Sequence, residues 1–180
     1  MRFYTGLGDD GTTDLLGARV DKDDPRIEAL GVLDEATSAI GLGRSLATVE
    51  RVREGLIAVQ RDLYRIMAEL AFTYELRPDA YRFSSGRTEW LEVETDALAS
   101  TVSLPPEFVL AGESTPGAAL DVARTAVRRA ERQVVALDRG EGTVSTAVLG
   151  YLNRLSSLLF IAARVEDHAA GRDIVRAKAE

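Results

Sequence analysis

Between Asp121 and Val135 the chain reads Asp-Val-Ala-Arg-Thr-Ala-Val-Arg-Arg-Ala-Glu-Arg-Gln-Val-Val. At about 100° per residue on a helix, Ala123, Val127, Ala130 and Val134 fall on one apolar stripe, with Arg124, Arg128, Glu131 and Arg132 on a charged stripe beside it. Guanidinium groups one turn apart, with a carboxylate between them to hold their planes, suit a polyphosphate, because each planar fork grips two oxygens at once. A solvated helix laced with i,i+4 pairs is the plainer reading of such a run taken alone.

A second stretch able to hold phosphate lies at the N-terminus. Residues 3–22 carry glycine at 6, 8, 11 and 17 and threonine at 5, 12 and 13, which reads as a loop rather than a regular element. Gly6-Leu-Gly8-Asp-Asp-Gly11 fits the letters of the dinucleotide fingerprint, but no strand pattern precedes it and no helix pattern opens on its last glycine. Phosphate held here would meet backbone N–H groups, threonine hydroxyls and Lys22 as a point charge. A flexible arm is the alternative.

The elements that must position these groups are helical. Asp24-Pro25 is a cap followed by proline at the first helical position, and the helix it opens runs to about Gly43. Its inner face is expected at Ile27, Leu30, Thr37 and Gly41, with Asp34 in the middle. Buried there, Asp34 would need a cationic partner from another segment or subunit. From about Ala47 to Leu76, Val52, Leu56, Val59, Leu63, Ile66, Leu70 and Thr73 recur in steps of four and three, a bundle seam. Arg77-Pro78 ends it. A shorter helix from about Arg87 to Ala99 is anchored by Trp90, Leu91 and Leu98, and an extended connection covers 103–115. Thr115-Pro116 opens the arginine helix, which fades at 138–142. The last helix, about Thr143 to Ala170, buries Val148, Leu152, Leu155, Leu159 and Ala162 and stops at Gly171, with a loose tail over 172–180. The expected fold is one all-α domain, a five-helix bundle without strands.

Composition narrows the chemistry. The chain has 180 residues, no cysteine and one histidine, so thiolate chemistry is excluded and a di-iron centre, which needs Glu-x-x-His on two helices, has too few ligands. His168 is expected at the surface near a helix end. A net charge of −7 argues against nucleic-acid binding and makes the arginine cluster a local anion site. No signal peptide and no apolar run of the roughly 18 residues that span a bilayer are read, so no membrane association and a cytoplasmic location are expected.

Four separated blocks resemble the PduO-type ATP:cob(I)alamin adenosyltransferases. They are Tyr4-Thr5 with Gly8-Asp9 and Gly11-Thr12-Thr13; Lys22 to Ala29 with Gly31 and Asp34-Glu35; Ala123 to Arg132; and Tyr151-Leu-Asn-Arg-Leu-Ser156. The resemblance covers about Phe3 to Ala170. It implies a trimeric five-helix bundle with ATP and cobalamin, plus Mg²⁺, bound at subunit interfaces, and transfer of the 5′-deoxyadenosyl group of ATP to Co(I). It implies ATP contacts from Thr5, Gly6, Leu7, Gly8, Thr13, Asp14, Lys22, Arg128, Arg129, Glu131, Arg132 and Asn153. It pairs Asp34 with Arg124 across the interface, and places Phe108 under the corrin ring to keep the lower axial ligand off cobalt. Arg128 and Phe108 are the residues implied to act on the reaction.

The sequence departs from the family's usual residues at Gly6 (basic), Leu7 (threonine), Asp10 (lysine), Ala111-Gly-Glu113 (a Pro-Gly-Gly turn) and Ser157 (aspartate). Two cations are thus absent from the phosphate loop and an anion is added, and no neighbour is read as replacing them. A diverged ATP- or corrinoid-binding relative without transferase activity, and a purely structural trimeric bundle, are the alternative readings.

Overall fold

The computed structural model describes residues 4–72 and 76–178. Five helices carry the chain: α1 Pro25–Leu46, α2 Glu50–Ala71, α3 Gly86–Ala99, α4 Thr115–Glu141 and α5 Thr146–Ala169. The caps follow from local chemistry. Asp24 accepts from the Arg26 N–H at 2.8 Å, and Pro25, lacking an N–H, starts α1 without an unsatisfied donor. The cap of α4 is Ser114, one residue before the expected Thr115, and it accepts from the Gly117 N–H at 3.0 Å. That helix ends at Gly142, whose φ of 65° lies in the left-handed region.

α1 packs against α2 and α4, α4 against α5, and α5 against α3. The seam expected on α2 is buried from Val52 to Leu70, while Thr73 lies outside the described residues. Val148, Leu152, Leu155, Leu159 and Ala162 of α5 are buried, as are Leu91 and Leu98 of α3. α5 is long and apolar enough to cross a membrane, with a mean hydropathy of 1.3 over its best window. Its place is the core: that stripe is enclosed by α3 and α4, and Arg164, Glu166 and Asp167 are buried near its end.

Three expectations are corrected. The buried face of α1 is Ala29, Val32, Leu33, Ala36 and Ile40, rotated from the expected one; Ile27, Leu30, Thr37 and Gly41 lie at its half-buried margin, and Asp34 is exposed. A helix gripped by two neighbours buries a wide band, so a single stripe drawn through its sequence misplaces the centre. The N-terminal stretch holds a two-stranded antiparallel hairpin, β1 Thr12–Leu15 and β2 Ala18–Asp21, anchored where the Leu16 N–H donates to the Ala71 carbonyl at 3.0 Å. The tail is not loose as far as 177: the Leu110 N–H donates to the Val175 carbonyl and the Ala177 N–H to the Phe108 carbonyl, both at 2.8 Å.

Two adjacent carboxylates near the end of α5 close the bundle. Glu166, fully buried, accepts from the Thr48 hydroxyl at 2.6 Å and from the N–H groups of Thr48 and Val49 at 3.0–3.1 Å. α2 has no side-chain cap hydrogen bond at its N-cap Val49, and Glu166 supplies from another helix the acceptor for the N–H groups of Thr48 and Val49. Asp167, also fully buried, accepts from the Ser114 hydroxyl at 2.6 Å at the start of α4. The approach requires glycine at 117, because a Cβ there would stand 2.1 Å from the Asp167 carboxylate.

Glu166→Gln removes the charge and replaces one acceptor oxygen with a donor facing donors. The expected loss is about 2 kcal/mol and a Tm fall of about 4–8 °C. Thermal unfolding followed by circular dichroism measures it, and an unchanged Tm would show that α2 caps itself.

Candidate functional site

On the outer side of α4, Arg128, Glu131, Arg132 and Arg139 join Asn153 of α5 around an open hollow of about 470 Å³. The apolar stripe expected behind them, Ala123, Val127, Ala130 and Val134, is buried against the core, which fixes the outward direction of the charged one. Glu131 accepts from the Asn153 amide at 3.0 Å, while the Asn153 oxygen accepts from Arg154 at 2.6 Å and Arg154 in turn donates to Glu92 at 2.9 Å. The orientation of the Asn153 amide is therefore set from both ends. Arg132 is steadied by donating to the Arg128 carbonyl at 3.0 Å. Arg128 is exposed and, among the described residues, has no carboxylate partner. Arg129 points round to α1 and pairs with Glu35, away from the hollow. Three arginines against one amide-bound carboxylate make this a cationic recess on a protein of net charge −7, suited to an anion with several oxygens.

The N-terminal loop is folded on itself. Lys22 donates to the Gly8 carbonyl at 2.6 Å, the Leu7 N–H to the Thr5 hydroxyl at 3.3 Å, and Arg19 to the Leu7 carbonyl. Gly6 has φ of 73°, a left-handed conformation that a side chain there would strain. Asp10 accepts from the Thr12 hydroxyl at 2.7 Å and the Thr12 N–H at 3.0 Å; these bonds, with Arg19 nearby, hold its carboxyl below the usual range. The expectation that nothing compensates Asp10 is overturned. Arg19 lies 3.6 Å from Asp10 and 2.9 Å from Asp14, which faces it across the hairpin. The signal was present in the sequence as opposite charges equidistant from the Leu16-Gly17 turn. Thr13 lies on β1 between these contacts.

Among the described residues, none from this loop lines the α4 hollow. No hydrogen bond or ion pair among the described residues joins them. Asp34 and Arg124 likewise do not meet: Asp34 is exposed on α1, and Arg124 donates to Asp121 at 3.2 Å. Phe108 is 89% exposed on the strip paired with the tail, an aromatic ring with no cover from its own chain. Elsewhere, the Tyr151 hydroxyl donates to buried Asp62 at 2.9 Å. Burial first, and the Asp62 charge second, push that phenol far above its usual range. Arg87 on α3 completes this packing cluster at 2.7 Å from Asp62.

Comparison with known proteins places this geometry. The profile of the cobalamin adenosyltransferase family matches residues 3–166. The chain is 39% identical over 175 residues to the corrinoid adenosyltransferase of Bacillus subtilis, covering 95% of this chain and 89% of that one. It is 40% identical over 172 residues to the corrinoid adenosyltransferase PduO of Salmonella typhimurium, spanning 94% of its own length and 51% of that protein. Its fold is similar to a variant PduO-type ATP:corrinoid adenosyltransferase from Lactobacillus reuteri complexed with cobalamin and ATP. The TM-score is 0.92 at 32% identity, covering 99% of this chain and 100% of that one. The chain belongs to the cobalamin adenosyltransferase family.

Arg19→Ala would leave Asp10 and Asp14 uncompensated and free the Leu7 carbonyl. The expected effect is a KM for ATP raised at least about threefold with kcat within about twofold, from the loss of charge-assisted bonds of about 1 kcal/mol. Initial rates at varied ATP measure this, and an unchanged KM would remove the hairpin from the nucleotide site.

Proposed function

We propose that this protein transfers the 5′-deoxyadenosyl group of ATP to the cobalt of a Co(I) corrinoid, releasing triphosphate. The observation that carries the reading is the α4 recess, in which the planar forks of Arg128 and Arg132 flank an Asn153 amide fixed from both sides. The Co(I) electron pair attacks C5′, the C5′–oxygen bond breaks, and its electron pair leaves on the triphosphate. No proton changes place, so the reaction needs no general acid, base or protein nucleophile. Charge accumulates on the departing triphosphate. Arg128, without a carboxylate partner among the described residues, and Arg132 are the groups that meet it, and Mg²⁺ arriving with ATP would share that charge.

The assembled site is a homotrimer interface in this reading. Its support is geometric: among the described residues, the loop bearing Thr5, Gly6, Leu7, Gly8, Thr13, Asp14 and Lys22 neither lines the recess of its own chain nor bonds to it, so a neighbouring copy is the economical source. Exposed Asp34 pairs with Arg124 of the adjacent copy, Glu131 holds the recess wall through Asn153, and Arg129 is held outside the recess by Glu35. Phe108 covers the lower face of the corrin ring and keeps an axial ligand off cobalt. An aromatic side chain 89% exposed on a strip pinned by backbone hydrogen bonds is otherwise an unsatisfied apolar surface.

Mixing the protein with ATP, Mg²⁺ and chemically reduced cobalamin is expected to produce the spectrum of adenosylcobalamin. Arg128→Lys keeps the charge but loses the fork, and kcat/KM for ATP is expected to fall at least about tenfold. ATP binding without product would assign the chain to a non-transferring carrier instead. Phe108→Ala is expected to retain most activity when Co(I) is supplied and to lose it when Co(II) must be reduced in the site. Equal losses in both assays would make Phe108 a packing residue.

A further inference from the structure

We propose that Asp121 and Arg164 are positioning residues for Arg124, and that through Asp167 they tie this end of α4 to the close of the loop that carries Phe108. The proposal rests on the reading of Arg124 as an interface residue. Its observation is a line of alternating charge running through the core. Ser114 donates to Asp167 at 2.6 Å, Arg164 Nε donates to the other Asp167 oxygen at 2.8 Å, Arg164 Nη2 donates to Asp121 Oδ2 at 2.6 Å, and Arg124 Nε donates to Asp121 Oδ1 at 3.2 Å.

The inner members are closed off from water: side-chain exposure is 2% for Arg164, 1% for Asp167 and 7% for Asp121, against 30% for Arg124 at the outer end. Four charges sum to zero, so none is buried uncompensated. Such a cluster is a poor device for stability alone, because apolar residues of the same volume commonly serve as well. Its distinctive product is direction. The planar fork of Arg164 fixes both carboxylates, Asp121 spends one oxygen on it, and the remaining oxygen holds Arg124 by Nε. Among the described residues the two terminal nitrogens of Arg124 have no hydrogen-bond partner, which leaves its fork directed outward for a carboxylate of a second copy.

Exchange of the arginine Nε–H protons with solvent, followed by ¹⁵N NMR on the assembled protein, reads the anchoring directly. Arg124 and Arg164 are expected to exchange at least about tenfold more slowly than exposed Arg65. In Asp121→Asn, Arg124 should reach the exposed rate while Arg164 stays slow through Asp167. Asp121→Glu keeps the cluster's charge and serves if the asparagine variant does not fold; it should also release Arg124. Arg124 exchanging freely in the unsubstituted protein, or unaffected by both substitutions, overturns the proposal. Assembly is read separately by sedimentation over a concentration series. Asp121→Asn is expected to raise the dissociation midpoint at least about tenfold, and less than about twofold in an Asp34→Ala background. Equal effects in both backgrounds overturn the positioning role. Intact assembly in Asp34→Ala alone, with slow Arg124 exchange, would sink the interface reading and leave the anchoring standing.

Discussion

Glu166 and Asp167 are consecutive in the chain and serve two different helices. Side chains adjacent on a helix diverge by about 100°, so the same turn of α5 reaches the N-terminus of α2 in one direction and that of α4 in the other. Both carboxylates are fully buried, and both are tolerable there only because helix N-termini and an arginine offer them donors. This constraint sets where α4 begins relative to α5. It thereby sets where the charged stripe, about four turns further on, meets Asn153.

The recess shows how a protein of negative net charge presents cations to an anion. Most of its arginines are neutralised in place: Arg164 by two aspartates, Arg87 by Asp62, Arg19 by Asp14 and Arg129 by Glu35. Among the described residues, what remains without an acidic partner in the α4 recess is Arg128, Arg132 and Arg139. A guanidinium already engaged to a carboxylate gains little from phosphate, since one partner must be released to accept the other. In the proposed reading, anion binding is therefore localised by which arginines were left without acids, rather than by where arginines are numerous.

In the proposed reading, an isolated chain holds only fragments of a two-substrate site. The hairpin carries hydrogen-bonding groups with no anion, the recess carries cations with no cover, and Phe108 offers an apolar face to water. Each fragment is held rigidly by its own contacts: the hairpin by Arg19 and Lys22, the amide by Glu131 and Arg154, and the Phe108 strip by the tail. The proposed assembly would then join preformed surfaces and need not order loose ones, which would limit the entropy lost on binding.

The sequence by itself determined the helices, the α2 and α5 seams, the outward face of α4 and the family, because periodic burial and caps are local and four motif blocks keep their order. The hairpin and the Arg19 contacts are local, and their signal lay in the opposite charges either side of the Leu16-Gly17 turn. The central face of α1 and the pinned tail were decided only by the tertiary structure: the first depends on packing from two sides and the second on a partner far along the chain, and a one-dimensional pattern carries neither. The buried charges are the clearest case. Asp121, Arg164, Glu166 and Asp167 have the same residue types as the solvated surface, and only the fold, by bringing donors within 3.2 Å of each carboxylate, makes their burial possible.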